Sequence, residues 1–172
     1  MADVTGDYYA GEAIHGYGAE LQVGQGDSPE TFVSVADVVS ITPGDMTTAV
    51  IDKTHLRSPE AHREKLAGIR DSGPFSMRLN WRPTHGSQSN DTNTAADGFT
   101  AGYGLLALWR NRTEANFKIL VPTVVGGSPA EQLEWPFRGV VTKFQPGEIG
   151  VDSKIDATVE ITPLQDFSAD LP

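Results

Sequence analysis

The octapeptide FSMRLNWR, residues 75–82, places Phe75, Met77, Leu79 and Trp81 on one side of an extended chain and Ser76, Arg78, Asn80 and Arg82 on the other. Successive side chains of a β-strand point to opposite faces, so this run reads as a strand with one buried and one solvated side. Working outward, the same alternation recurs. YGAELQV (17–23) turns Tyr17, Ala19, Leu21 and Val23 one way. ANFKILV (115–121) does so through Phe117, Ile119 and Val121, and IDATVEIT (155–162) through Ile155, Ala157, Val159 and Ile161. Two further strands are expected in TFVSVADVVSIT (31–42) and WPFRGVVTKF (135–144). In the first, the apolar phase slips around Asp37, as at a bulge. Gly, Pro, Asn and Asp punctuate the intervals, and half-polar strands belong to antiparallel sheets that face a core on one side. The expected fold class is mainly β: an antiparallel β-sandwich or barrel flanked by one α-helix, with long loops and an N-terminal arm.

Helix signals are few. In SPEAHREKL (58–66), Ser58 is a candidate N-cap, Pro59 suits the first helical position and Gly68 a stop, which predicts about two turns. FTAGYGLLALWRN (99–111) predicts a second helical segment with Phe99, Tyr103 and Leu106 on one face. The chain reads as one domain over 1–172, with a flexible arm at 1–16. A mobile polar loop is expected at 83–98, PTHGSQSNDTNTAADG, which can bury little.

Composition narrows the functional classes. With 172 residues and no cysteine, the chain suits one packed domain without disulfides or thiolate chemistry. It shows no apolar run long enough to span a bilayer and no signal peptide at its start, so synthesis in a cytoplasm is expected, with no membrane partner. The net charge of −10 argues against a sequence-reading nucleic-acid binder. The charge is also unevenly placed. Residues 1–52 hold nine acids and no Lys or Arg, whereas residues 53–82 hold seven basic residues and three acids. An acidic segment beside a basic one suits contact between copies of one chain, although both can equally be solvated faces.

No motif supports chemistry. His55 and His62 are seven apart rather than at the i, i+4 spacing of a zinc helix, and His15 and His85 fall in the arm and the polar loop. There is no nucleophile elbow, no Walker A pattern and no paired carboxylate signature. Neither a cofactor nor a metal is expected, and the chain reads as a non-enzyme. Trp81, Trp109 and Trp135 could form a sugar-stacking platform, which keeps a carbohydrate-binding β-sandwich as an alternative. Trp81 continues an apolar strand face and Trp109 ends an apolar helix, so both read as core residues.

The stretch DKTHLRSPEAHREKLAGIRDSGPFSMRLNWRP (52–83) resembles a segment of siphophage tail tube proteins, the major tail proteins. The matching residues are Asp52, Thr54, Leu56, Ser58-Pro59, Arg63-Glu64, Gly68-Ile69, Asp71 and Gly73. FVSVADVVSITPGD (32–45), LLALWRNRTEANFKILVP (105–122) and WPFRGVVTKFQPGEIGVDSKIDATVEITP (135–163) extend the resemblance to about residues 17–164. It implies a structural subunit of a long non-contractile phage tail, with hexameric rings stacked into a tube. That tube conducts genomic DNA through an acidic lumen without sequence-specific binding. It also implies a virion location and contacts with a tape measure protein, a tail terminator and tail-tip proteins. A tail terminator or a contractile-tail tube protein of the same fold is the nearest alternative. In this reading Arg57, Arg63, Lys65 and Arg70 meet acids on a neighbouring copy. Glu20, Asp156 and Glu160, polar residues on the first and last strands, line the lumen.

Overall fold

The residues that alternate in the sequence are the ones the fold buries. The structure is a computed structural model that describes residues 16, 18–26, 29–55, 62–89, 98–122, 132–150 and 154–164. Its strands are β1 (Glu20–Gln25), β2 (Thr31–Ser34), β3 (Val38–Thr42), β4 (Met46–Asp52), β5 (Lys65–Ser72), β6 (Phe75–Asn80), β7 (Glu114–Pro122), β8 (Gln132–Pro146) and β9 (Asp156–Pro163). Two short helices, α1 (Gly86–Ser89) and α2 (Leu105–Asn111), lie between β6 and β7. Seven strands form one antiparallel sheet in the order β2-β1-β7-β8-β9-β6-β3, and β4 and β5 form a separate hairpin. The fold is mainly β and sandwich-like, as expected. Leu21, Val23, Phe75, Met77, Leu79, Phe117, Ile119, Ala157, Val159 and Ile161 all face one core. At its centre Phe137 stacks on Phe75 at 4.4 Å and on Phe117 at 5.5 Å. Such aromatic pairs add roughly 0.5–1.5 kcal/mol each beyond the area they bury. Leu105, Ala107 and Leu108 of α2 are buried beside them.

One expected strand is two. Residues 31–42 split into β2 and β3, which lie on opposite edges of the sheet. The phase slip at Asp37 is a turn in the left-handed region (φ 57°), a conformation that Asp tolerates better than most residues. The change of partner is abrupt. Val35 N–H still donates to Leu21 of β1 at 2.7 Å, while Asp37 C=O accepts from Asn80 of β6 at 2.9 Å. The four chain steps from Ser34 to Val38 span at most about 14 Å. Six strand spacings in a flat sheet would need about 29 Å. The sheet must therefore curl until its edges nearly meet. Because β2 and β3 are not paired with each other, it stops short of a closed barrel.

A polar cluster holds this crossover. Gln88 and Ser87 of α1 are completely buried. The Gln88 side-chain amide donates to Ala36 C=O at 2.9 Å and to Asn80 C=O at 3.1 Å, and its oxygen accepts from Arg82 N–H at 2.6 Å. Ser87 Oγ accepts from Ala36 N–H at 3.2 Å and lies 2.9 Å from His85 Nδ1. The Arg82 guanidinium meets the Asp37 carboxylate at 3.2 Å. The expectation that residues 83–98 bury little therefore fails over Gly86–Ser89, whose polar side chains are consumed inside the fold. Residues 90–97 of that loop and most of the N-terminal arm lie outside the described residues.

Two further expectations are corrected. The helix predicted from Ser58 is contradicted at its C-terminal end, because Lys65–Ser72 is strand β5 with Gly68 in its interior; the capping signals at Ser58-Pro59 lie outside the described residues. Strand pairing with the β-rich MTTAVID of β4 outweighs the short helix signal, with Ile51 opposite Leu66 and Val50 opposite Ala67. Trp109, expected in the core, is 42% exposed, because α2 starts at Leu105 and turns Leu105 and Leu108 inward instead. Trp81 does pack against the core, edge-on to Phe144.

Gln88→Ala should strand three part-buried backbone groups, each worth about 1 kcal/mol when left unpaired, the lower end of the range for buried groups. We expect a stability loss of roughly 3 kcal/mol in urea unfolding, against a negligible change for the exposed Thr48→Ala. Equal midpoints for the two variants would show that the cluster does not hold the crossover.

Candidate functional site

Two surfaces carry the residues singled out by sequence: the β4–β5 hairpin and the solvated face of the seven-stranded sheet. Arg57 lies outside the described residues. Arg63 is exposed just before β5, and Lys65 and Arg70 sit on β5 itself. Successive side chains of a strand alternate between faces, so Met46, Thr48, Val50 and Asp52 share one face of β4 and Ile51 lies on the other. Lys65 stands opposite Asp52, Ala67 opposite Val50 and, beyond a bulge in β5 at Gly68-Ile69, Arg70 opposite Thr48, while Leu66 stands opposite Ile51. Lys65 and Arg70 therefore sit on the same face, on either side of the bulge.

What the charge pattern concealed is the apolar content. Met46, Val50, Ile51, Leu66 and Ile69 are all exposed, Met46 at 64%, Val50 at 63% and Ile69 at 84%. Both faces of the hairpin are apolar and uncovered. Solvent-exposed hydrophobic groups concentrated on one element mark an interaction surface. A lone two-stranded hairpin is only marginally stable in water. The adjacent pair Val50-Ile51, with no polar residue between, is the sequence signal that could have revealed it.

The loop end of the hairpin is clasped by the D-x-T motif. Thr54 N–H donates to Asp52 Oδ1 at 2.8 Å, and Glu64 N–H donates to Thr54 Oγ1 at 2.9 Å. Lys53 N–H donates to Glu64 C=O at 3.0 Å, and the Lys53 ammonium lies 3.6 Å from the Glu64 carboxylate. This clasp explains why Asp52, Thr54 and Glu64 stand at that spacing: they fix both ends of the loop they enclose. Hydrogen bonds from the Thr54 side chain and then its backbone N–H hold the Asp52 carboxyl below its usual range.

On the sheet, Glu20 of β1 and Asp156 and Glu160 of β9 all point away from the core. Asp156 and Glu160 share a strand face, whereas Glu20 lies three strands away, about 14 Å across the sheet. None stands as a bare charge. Asp156 meets Arg78 at 3.0 Å, Glu160 meets Lys143 at 2.8 Å, and Glu20 accepts from Ser34 Oγ at 2.6 Å. Cross-strand ion pairs continue along this face, Lys118 with Glu134 and Arg138 with Glu114. Among the described residues, no group of three or more His, Asp or Glu is arranged to hold a metal.

The family described as lambda phage tail tube protein, TTP, matches residues 17–121, more than half of the chain. The chain belongs to that family. It is a structural subunit of a phage tail tube and has its place in the virion. No curated protein matches it. Solved structures share its fold at low identity. The sheath/tube terminator of an extracellular contractile injection system, in its extended state, aligns with a TM-score of 0.63 and 12% identity, over 94% of this chain and 99% of that one. The tail of an empty gene transfer agent particle, refined with six-fold symmetry, aligns at 0.55 and 14%, over 88% and 96%. The SPP1 tail tube aligns at 0.55 and 8%, over 93% and 81%.

The lowered Asp52 carboxyl gives a testable signature. A depressed carboxyl contributes stability above its range and loses it as the pH falls through the folded value. The Thr54 amide resonance should therefore hold its clasped position down to a pH below the ordinary carboxylate range, then shift. Titration of that resonance at the ordinary Asp value would mean the clasp is absent in solution.

Proposed function

We propose that this subunit builds the tube of a long, non-contractile tail from hexameric rings, and that the β4–β5 hairpin is the element by which copies join. The observation that carries this reading is the hairpin's two uncovered apolar faces. Fully burying a large aliphatic side chain contributes about 1.5–3 kcal/mol, whereas an exposed ion pair contributes about 0–1 kcal/mol. Met46, Val50, Ile51, Leu66 and Ile69 therefore supply most of the contact energy. Arg57, Arg63, Lys65 and Arg70 set register against acids of the neighbouring copy. The tape measure protein, terminator and tail-tip proteins are the further partners that this role requires, and DNA passes through the bore.

Glu20, Asp156 and Glu160 are the proposed lumen residues. Their neighbours Arg78 and Lys143 offset much of the charge of Asp156 and Glu160. In this reading the wall repels phosphate weakly and, with its described lysines and arginines in cross-strand ion pairs, holds it loosely, so DNA slides without sticking. A second reading has specific support: the likeness in fold extends to the tube terminator of a contractile injection system. Electron microscopy of the purified protein separates the two. Long bare tubes support the tail tube reading, and closed single rings support a terminator.

Ile69→Asp should give a folded, soluble subunit that no longer forms tubes, while Arg63→Glu with Arg70→Glu should weaken long-tube formation and its salt dependence. Sedimentation of both variants across salt concentrations checks this, and normal polymerisation of Ile69→Asp would remove the hairpin from the interface. For the lumen, Asp156→Lys with Glu160→Lys should leave assembly intact and slow DNA ejection from particles. Ejection at the wild-type rate would place that face on the outer wall.

A further inference from the structure

The hairpin continues two strands of the main sheet. β3 runs into β4 through Pro43-Gly44-Asp45, and β5 runs into β6 through Gly73-Pro74, so a Pro-Gly step stands beside a Gly-Pro step. Proline has no N–H to give to a ladder. Pairing of β3 with β6 ends at Thr42 and Ser76, and pairing of β4 with β5 resumes at Met46 and Ser72. Between these ladders, Gly73 N–H donates to Asp45 C=O at 2.8 Å. The backbones cross so closely there that a Cβ on Gly44 would overlap the Gly73 carbonyl, and one on Gly73 would sit 3.1 Å from the Asp45 nitrogen.

Packing does not tie the hairpin to the sheet. Every residue of β4 is exposed, and on β5 only Gly68 and Ser72 are partly shielded. The β4–β5 ladder is internally regular over six register pairs apart from one bulge, so it can move as a unit. Two well-bonded ladders joined at a glycine crossing, with two flanking prolines that have no N–H to give, have the construction of a hinge.

We propose that Pro43-Gly44 and Gly73-Pro74 form a pivot about which the β4–β5 hairpin swings as an arm, and that a second copy of this chain fixes its angle on docking. The arm is about 23 Å long, so a rotation of roughly 20° carries its tip about 8 Å. The free subunit samples these angles, and the neighbour selects the one that covers both apolar faces. The docking step rests on the self-assembly reading above; the pivot does not.

Residual dipolar couplings on the unassembled wild-type subunit test the pivot. Amides of residues 46–52 and 65–72 should need their own alignment fit, about twofold weaker than that of the seven-stranded sheet. One tensor of equal magnitude fitting both sets would overturn it. These couplings are read on single subunits, so they hold whether or not tubes form. For the docking step, Gly44→Ala blocks the crossing while leaving both ladders in place. It should slow tube assembly about tenfold or more, with ladder amides as protected as in wild type. Assembly at the wild-type rate would overturn the use of the pivot, and if this variant does not fold, the wild-type couplings still decide.

Discussion

Three residues, Val35 to Asp37, carry the chain from one edge of the seven-stranded sheet to the other, and most of the architecture is forced by how short they are. A link of that length cannot cross a flat sheet, so the sheet curls, and the curl creates the single enclosed face on which the core is built. The link must also turn sharply at Asp37, in a backbone conformation costing most residues of order 1 kcal/mol or more. Buried hydrogen bonds from Gln88 and Ser87 and the Arg82 ion pair offset that cost. This buried polar cluster thus has a specific duty, which is to hold the turn that shapes the sheet.

Legibility of the fold followed the solvent. Residues 75–81 and 155–161 could be read correctly because each strand has one wet and one dry side, and period-2 alternation records that difference. Residues 46–52 and 65–72 could not, because both sides of the hairpin are exposed and apolar residues fall on each, which erases the period. In that vacuum the local signal of Ser58-Pro59 suggested a helix whose far end is strand. The slip at Asp37 was visible, but whether a phase change means a bulge or a crossover depends on which strands lie alongside, and that is non-local. Burial of Ser87 and Gln88 was equally hidden, since nothing in a polar heptapeptide announces that its partners are the backbone groups of a distant turn.

The proposed assembly surface was half legible. Charge asymmetry directed attention to residues 53–82, which contain β5 but not β4, the strand just before them. The reason offered by charge was incomplete, because formal charges can be counted from sequence whereas exposure cannot. Ile69 looks like any core isoleucine until its surroundings are known. On the sheet, Asp156 and Glu160 were recognised as outward-facing, but their cross-strand bases Arg78 and Lys143 are set by register. A sheet face that looked acidic in the sequence is closer to a lattice of paired charges.

The continuity of the hairpin with the main sheet has a mechanical consequence. Tension applied at the tip of β4–β5 reaches β3 and β6 together and pulls both along their length. β6 is bonded to β9 through six consecutive positions, from Phe75 opposite Ile161 to Asn80 opposite Asp156. A lengthwise load strains all of those bonds at once, whereas a sideways load would open them one after another. The subunit is therefore stiffest along the hairpin axis, and a strut that joins copies in that direction transmits stretching force into the strongest part of the sheet.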